Sequence, residues 1–183
     1  LGGSLGEYRV NPNDHVNMAQ STNDVIPTSI RLGALWRLDE LLSALQGLHN
    51  ALEVKALEFD EIVKSGRTHL QDAVPVRLGQ EFGAYAEMID EDMKRIKEAM
   101  GLITEINMGA TAIGTGINSH PDYAKLVCSY LKQITGIPLS VSINLVEATQ
   151  DTGAYIQVSG VFKRFAVKLS KICNDLRLLS SGP

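Results

Sequence analysis

Five polar side chains with a large hydrogen-bonding capacity lie close together in the stretch SGRTHLQDAVPVRLGQEF, residues 65–82: Arg67, Thr68, His69, Gln71 and Asp72. Thr68 offers a hydroxyl group, and His69 can donate or accept a hydrogen bond. One interpretation is that this pair holds a small polar substrate. The other is that His69 is an exposed loop histidine whose neighbours cap and brace a bend. The spacing alone leaves both interpretations open.

A second polar stretch is QSTND, residues 20–24, directly before a long helical pattern. Serine, threonine, asparagine and aspartate are the residues preferred at helix N-caps, so one of them is expected to cap the helix. A helix N-terminus also offers free N–H groups and a partial positive charge, and the neighbouring hydroxyls add further donors. The stretch could therefore also bind a carboxylate.

The third stretch, GATAIGTGIN at residues 109–118, invites comparison with a phosphate-binding loop. Gly109 and Gly114 have the four-residue gap of that motif, but Thr115 stands where its lysine is required, and the pattern is not GxGxxG either. What remains is a loop whose glycines permit close backbone approach or positive φ angles.

Three apolar stripes with spacings of three and four predict the elements that position these stretches. They run from residue 35 to 52, from 82 to 103 and from 158 to 179, and a shorter amphipathic segment covers about 123–134. No run of alternating strand character stands out. The sequence therefore predicts an all-α fold, a long-helix bundle with three long helices and one short one, in which polar loops carry the candidate residues.

Composition excludes several classes of partner. The chain has 183 residues, 44% of them hydrophobic, and a net charge of −4 without a basic cluster, so nucleic acid is not expected as a partner. No apolar run is long enough to cross a membrane. His15, His49 and His120 have no second ligand at metal-binding spacing, so no metal site is expected. Cys128 and Cys173 are expected to be buried free thiols in a reducing compartment, and a cytoplasmic location is expected.

Taken in chain order, four segments closely resemble the aspartase/fumarase superfamily: HVNMAQSTNDVIPTSIRL, SGRTHLQDAVPVRLGQEF, GATAIGTGIN and SKICNDLRLLSSGP. The resemblance extends over nearly the whole chain. The stretch LVEATQDTGAYIQVSGVFKRFAVKLSKICNDLRLLSSGP is similar to the aspartate ammonia-lyase branch. Fumarases usually carry Gly-Gly-Thr where this chain has Gly109-Ala110-Thr111, and the purine and argininosuccinate branches differ after the Thr-His pair.

The resemblance implies a homotetramer around a central bundle of long helices, with each active site assembled from three subunits. It also implies the reaction, which is the reversible anti elimination of ammonia from L-aspartate to give fumarate, with no cofactor. Two alternatives stay open. One is a fumarate hydratase of the same superfamily, and the other is a non-catalytic helical scaffold derived from it.

The residue roles implied by the resemblance fall on two of the stretches. Ser21 and Thr22 match donors to the β-carboxylate, and Asn23 matches a contact to the amino group. Thr68 matches a contact to the substrate carboxylate, and His69 matches the histidine near the leaving amino group. Thr68 and His69 are thus the expected catalytic residues. The other polar residues of their stretch are expected to brace the bend: Arg67, Gln71 and Asp72.

The chain also departs from the family pattern. A loop of the form Gly-Ser-Ser-x-x-Met-Pro-Gly-Lys-x-Asn, which supplies the family's serine base, is not found in these 183 residues, and Asn11 stands where a His-Pro-Asn-Asp pattern would begin. Residues 1–20 are expected to be a remnant of an N-terminal domain with its connecting loop. Residues 21–183 are expected to be a central bundle domain truncated before the serine loop, and inactive alone.

Overall fold

A computed structural model describes residues 4–7 and 9–181. Four residues of the expected N-terminal remnant (1–3 and 8) and the last two residues of the expected bundle domain lie outside these ranges. The all-α prediction is confirmed, because helices account for most of the chain. The five α-helices of the described residues are α1 (Thr22–Glu58), α2 (Leu78–Gly101), α3 (Tyr123–Thr135), α4 (Leu145–Gln150) and α5 (Gly153–Leu179), and single turns of π-helix and 3-10 helix cover Pro12–Val16 and Leu102–Thr104. The strands are β1 (Val63–Thr68), β2 (Gln71–Arg77), β3 (Glu105–Ile106) and β4 (Ser140–Val141). No helix among the described residues has the length and apolar character that a membrane span requires.

The chain divides into two compact units. The first consists of Leu1–Trp36 and Leu102–Ala154. Its core is a cluster of five buried side chains: Leu32, Ile106, Met108, Cys128 and Leu139. Cys128 is thus a buried free thiol as expected, whereas Cys173 on α5 is a free thiol that is exposed. The strands β3 and β4 pair in parallel and carry Ile106 into this cluster. The short helix α4, which sequence periodicity did not predict, begins at its cap residue Asn144, whose Oδ1 accepts from Val146 N at 3.1 Å.

The second unit consists of Arg37–Gly101 and Tyr155–Pro183. The predicted apolar stripe of α2 is buried as expected, with Ile89 and Ile96 fully inaccessible to solvent. Two acidic residues on α2 face two basic residues on α5: Arg164 Nε lies 3.2 Å from Asp92 Oδ1, and Lys168 Nζ lies 3.0 Å from Glu91 Oε2. Asp92 is fully buried, so this pairing compensates a charge removed from water.

The stretch that the sequence predicted to be an irregular link is instead an antiparallel hairpin of β1 and β2. Its register pairs Val63 with Arg77, and Thr68 with Gln71 across the turn. Most side chains of both strands are exposed, so the alternation of apolar and polar residues that reveals a half-buried strand is missing. Pro75 fits because a two-stranded hairpin has edges where no N–H donor is needed.

Candidate active site

Ser21 caps helix α1. Its Oγ accepts from the backbone N–H of Asn23 at 3.2 Å, and its own N–H donates to Asp24 Oδ1 at 2.9 Å. These two bonds resemble a capping box, in which the side chain of the cap residue and a side chain of the first turn each accept from a backbone N–H near the opposite end of that turn. The capping interpretation of QSTND therefore holds for Ser21. It does not exclude a second role, because the hydroxyl of a cap residue stays at the surface of the helix end.

Asp24 is the most deeply buried polar residue of this helix start, with no exposed surface. While Oδ1 accepts from Ser21, Oδ2 accepts from the backbone N–H groups of Gly109 at 3.2 Å and Thr111 at 3.0 Å. One carboxylate thus binds three N–H donors and joins the glycine-rich loop to the start of α1. Sequence analysis gave Asp24 no role of its own, although the spacing Ser21-x-x-Asp24 is a capping-box signal.

Asn23 is fixed at both its side chain and its carbonyl. Its Nδ2 donates to Ala112 O at 2.7 Å. Residue 27 is a proline without an N–H, so the Asn23 carbonyl cannot receive the usual helical hydrogen bond from it. That carbonyl accepts from Asn107 Nδ2 at 3.1 Å instead. Asn23 is therefore held by two segments that are remote in sequence.

The glycines of the loop 109–118 show both features that the sequence suggested, close backbone approach and positive φ angles. Gly109 has φ +95°, and a Cβ atom placed on it would lie 2.5 Å from Ala124 Cβ. Gly114 has φ +98°, and a Cβ there would lie 2.3 Å from Val146 Cα. The loop can approach α3 and α4 this closely only without side chains at these two positions. The structure supports backbone approach as the reason for these glycines.

A cleft of about 230 Å³ lies beside the start of α1. Ser21 and Thr22 line it together with four neighbours: Asn17, Gln20, Val25 and Ile26. Thr22 is exposed, and Ser21 is half-buried. Two hydroxyl groups and the positive end of a helix thus border one small space, which is an arrangement suited to a carboxylate.

In the second unit, Thr68 ends β1, and His69 and Leu70 form the two-residue turn to β2. Both turn residues have positive φ angles, +49° at His69 and +62° at Leu70. Such a turn suits the twist of a hairpin but normally carries Asn-Gly or similar residues, because a side chain in this region costs about 1–2 kcal/mol. Strained backbone of this kind is common at functional sites, and the fold here presents His69 at an exposed tip.

His69 also lines a cavity of about 440 Å³ within this unit. The hairpin contributes Arg67, His69 and Leu70, and the helices contribute residues of α2 and α5, among them Tyr85, Lys171 and Asp175. This volume lies in the range typical of small-molecule sites. The cross-strand register sets Arg67 opposite Asp72.

Three side chains of that cavity form a hydrogen-bonded group. The Tyr85 hydroxyl donates to Asp175 Oδ2 at 2.9 Å, and the Lys171 ammonium is paired with the same carboxylate. Burial and the hydrogen bond to Asp175 raise the pKa of Tyr85 above its usual value. Burial alone would raise the pKa of Asp175, but the hydrogen bonds from Lys171 and Tyr85 lower it below its usual range. The carboxylate is therefore kept ionised, and the phenol is kept neutral.

The five predicted site residues fall into two groups. Ser21, Thr22 and Asn23 are consecutive at the start of α1 in the first unit, and Thr68 and His69 are adjacent at the hairpin tip of the second. Among the described residues, no group of three or more His, Cys, Asp or Glu side chains is arranged to hold a metal ion.

Comparison with known proteins agrees with the resemblance in the sequence. Aspartate ammonia-lyases of Helicobacter pylori and Pseudomonas aeruginosa are 54% and 56% identical over 100% of this chain. The chain spans 39% of the length of each. The crystal structure of fumarate lyase:delta crystallin from Brucella melitensis bound to cobalt superposes with a TM-score of 0.96 at 53% identity, covering 100% of this chain and 40% of that one.

A recombinant class II fumarase from Schistosoma mansoni superposes with a TM-score of 0.93 at 35% identity, over 100% of this chain and 41% of that one. The family model described as Lyase matches residues 1–183. The aspartase/fumarase resemblance noted in the sequence is thereby confirmed. The chain belongs to this lyase family.

Proposed function

We propose that the protein is an aspartate ammonia-lyase, which catalyses the reversible elimination of ammonia from L-aspartate to give fumarate. The geometry that carries the proposal is the start of α1, where the hydroxyl-bearing residues Ser21 and Thr22 border one cleft at the positive end of the helix. Relatives bearing that name are 51–56% identical over the whole of this chain, which supports the proposal.

The difficulty of this reaction lies in the proton on C3, which is a very weak acid. Its removal places negative charge on the neighbouring β-carboxylate, which becomes an aci-carboxylate. Donors already in position stabilise this added charge more than they stabilise the substrate, and only that difference accelerates the reaction. In the proposed arrangement, the hydroxyls of Ser21 and Thr22 donate to the β-carboxylate, with help from the helix dipole.

The remaining residues act on the other end of the substrate, in an active site that the family resemblance implies to be assembled from three subunits. Asn23 contacts the amino group, and Thr68 contacts a substrate carboxylate. His69 lies near the leaving amino group, where an imidazole can supply or accept a proton at neutral pH. None of these five residues is assigned as the base that removes the C3 proton. No cofactor is part of the proposal, and a cytoplasmic location stays a prediction.

We further propose that the protein acts as a homotetramer. Large apolar side chains are exposed on the long helices of the second unit, with Leu57 on α1 81% exposed and Ile156 on α5 68% exposed. Helices with apolar residues on more than one face need more than one neighbour, which other copies of the chain would supply. Light scattering coupled to size-exclusion chromatography measures the assembly mass directly, and a monomer would contradict the proposal.

The function is tested with the full-length protein and two assays. With L-aspartate, we expect equal amounts of ammonia and fumarate, the latter followed by its ultraviolet absorbance. With fumarate and no ammonium, we expect no malate. Malate formation would favour fumarate hydratase, the alternative that the similarity to a class II fumarase supports. As a matched pair, His69→Gln should lose activity, whereas His120→Gln, a change at an exposed histidine outside both candidate groups, should keep it.

A further inference from the structure

We propose that Asp24 is a positioning residue that orients the amide of Asn23 through the loop 109–112, so that Asn23 Oδ1 is the acceptor for the substrate's ammonium group. This inference rests on the proposed function. It assigns the orientation of this acceptor to a buried carboxylate and a loop carbonyl that do not touch the substrate themselves.

The first step is the connection that Asp24 makes. Its carboxylate is fully buried and accepts one N–H from the helix start and two from the loop. Hydrogen bonds to an ionised acceptor are stronger than those between neutral groups. Without the carboxylate, the N–H groups of Gly109 and Thr111 would lose the acceptor that ties them to the helix start.

The second step is the strain in the loop. Thr111 has φ +59°, which is unfavourable for a β-branched residue, and it is buried. A backbone held in such a region persists only when its surroundings impose it. The bond from Thr111 N to Asp24 is one such constraint, so its loss allows the loop to relax and the next residue, Ala112, to move.

The third step is the orientation of the Asn23 amide. A backbone carbonyl only accepts hydrogen bonds, so the end of the amide that faces Ala112 O must be Nδ2. The other end is then Oδ1, which only accepts. An ammonium group only donates, so Oδ1 complements it. The fixed amide therefore presents an acceptor to the ammonium group of the substrate.

The test is Asp24→Ala in the full-length protein, assayed in the direction of fumarate amination. The KM for ammonium should rise about tenfold or more, because a hydrogen bond to a charged group is lost from the ground state and each tenfold change corresponds to about 1.4 kcal/mol. The KM for fumarate should change less, because Ser21 Oγ still accepts from Asn23 N even though the Ser21 N–H loses its acceptor.

Leu35→Ala serves as the stability control, because Leu35 packs against the core of the same unit and lies about three turns further along the same helix than Asp24. In this variant the ratio of the two KM values should be unchanged. If Asp24→Ala fails to fold, Ala112→Gly replaces it. Ala112 is exposed, and added backbone freedom of about 0.5–1 kcal/mol should raise the ammonium KM selectively by about two- to fivefold.

The inference is overturned if the folded variant has the same ratio of ammonium KM to fumarate KM as the unmodified protein. This includes the case in which both KM values rise in parallel. Absence of turnover in the unmodified protein overturns the proposed function and the inference together. Turnover in the unmodified protein with an unchanged ratio in the variant overturns the inference alone.

Discussion

Gly109→Ala tests directly whether the glycine-rich loop depends on close backbone approach. In the structure, the added Cβ atom would lie 2.5 Å from Ala124 Cβ and 2.7 Å from Ala124 Cα on helix α3. Both distances are far below a van der Waals contact, and one neighbouring atom belongs to the backbone of a helix. The residue also has φ +95°, a conformation that alanine rarely adopts.

The two effects can be estimated separately. Left-handed strain at a residue with a side chain costs about 1–2 kcal/mol. Forcing an extra carbon into a packed contact costs a further 1–3 kcal/mol, roughly. We therefore expect Gly109→Ala to lower the free energy of unfolding by about 2–5 kcal/mol. Gly136→Ala is the matched control, because Gly136 has φ +72° but no atom within 4 Å of the added Cβ. It should cost only about 1–2 kcal/mol.

Urea unfolding followed by circular dichroism measures both variants. Adding Ala124→Gly to Gly109→Ala removes one of the clashing atoms, so a double-mutant cycle should show a favourable coupling between the two positions. If Gly109→Ala costs no more than Gly136→Ala, or the coupling is absent, then the close approach of loop and helix is not what requires glycine there.

Three further predictions follow from the second unit. His69→Gln should lower kcat/KM by about 10²–10⁴-fold without unfolding the hairpin, and full activity would exclude proton transfer by this residue. Asp175 has a lowered pKa in the fold, so its stabilising contribution is complete above the usual carboxylate range and is lost as pH falls through the lowered pKa. Lys171→Met should flatten this acid-side slope of the free energy of unfolding, and an unaltered slope would refute the assignment. Asp92→Asn should cost about 1–3 kcal/mol, because it replaces a fully buried carboxylate whose partners Arg164 and Lys168 stay partly exposed to water. Glu91→Gln, at the exposed neighbouring position, should lower the free energy of unfolding by less than about 1 kcal/mol in the same urea titration.

Much of the candidate site could be predicted from sequence because it consists of local features. QSTND indicated a helix start, and Ser21 caps α1. The glycines of GATAIGTGIN indicated close approach, which Gly109 and Gly114 show. The hairpin at residues 63–77 was missed, because its strands are exposed and lack an alternating pattern. Its turn was hidden as well, since His69-Leu70 is not a common turn pair for positive φ angles.

The sequence by itself determined the helical class, the family resemblance and the candidate residues, since periodicity, capping chemistry and motif order are all written along the chain. Only the tertiary structure decided which segments meet. The hydrogen bonds from Gly109 N to Asp24 and from Asn23 Nδ2 to Ala112 O join residues more than 80 positions apart. Such contacts depend on how the whole unit packs, because a buried carboxylate requires N–H partners but its own sequence neighbourhood does not specify which distant backbone groups provide them.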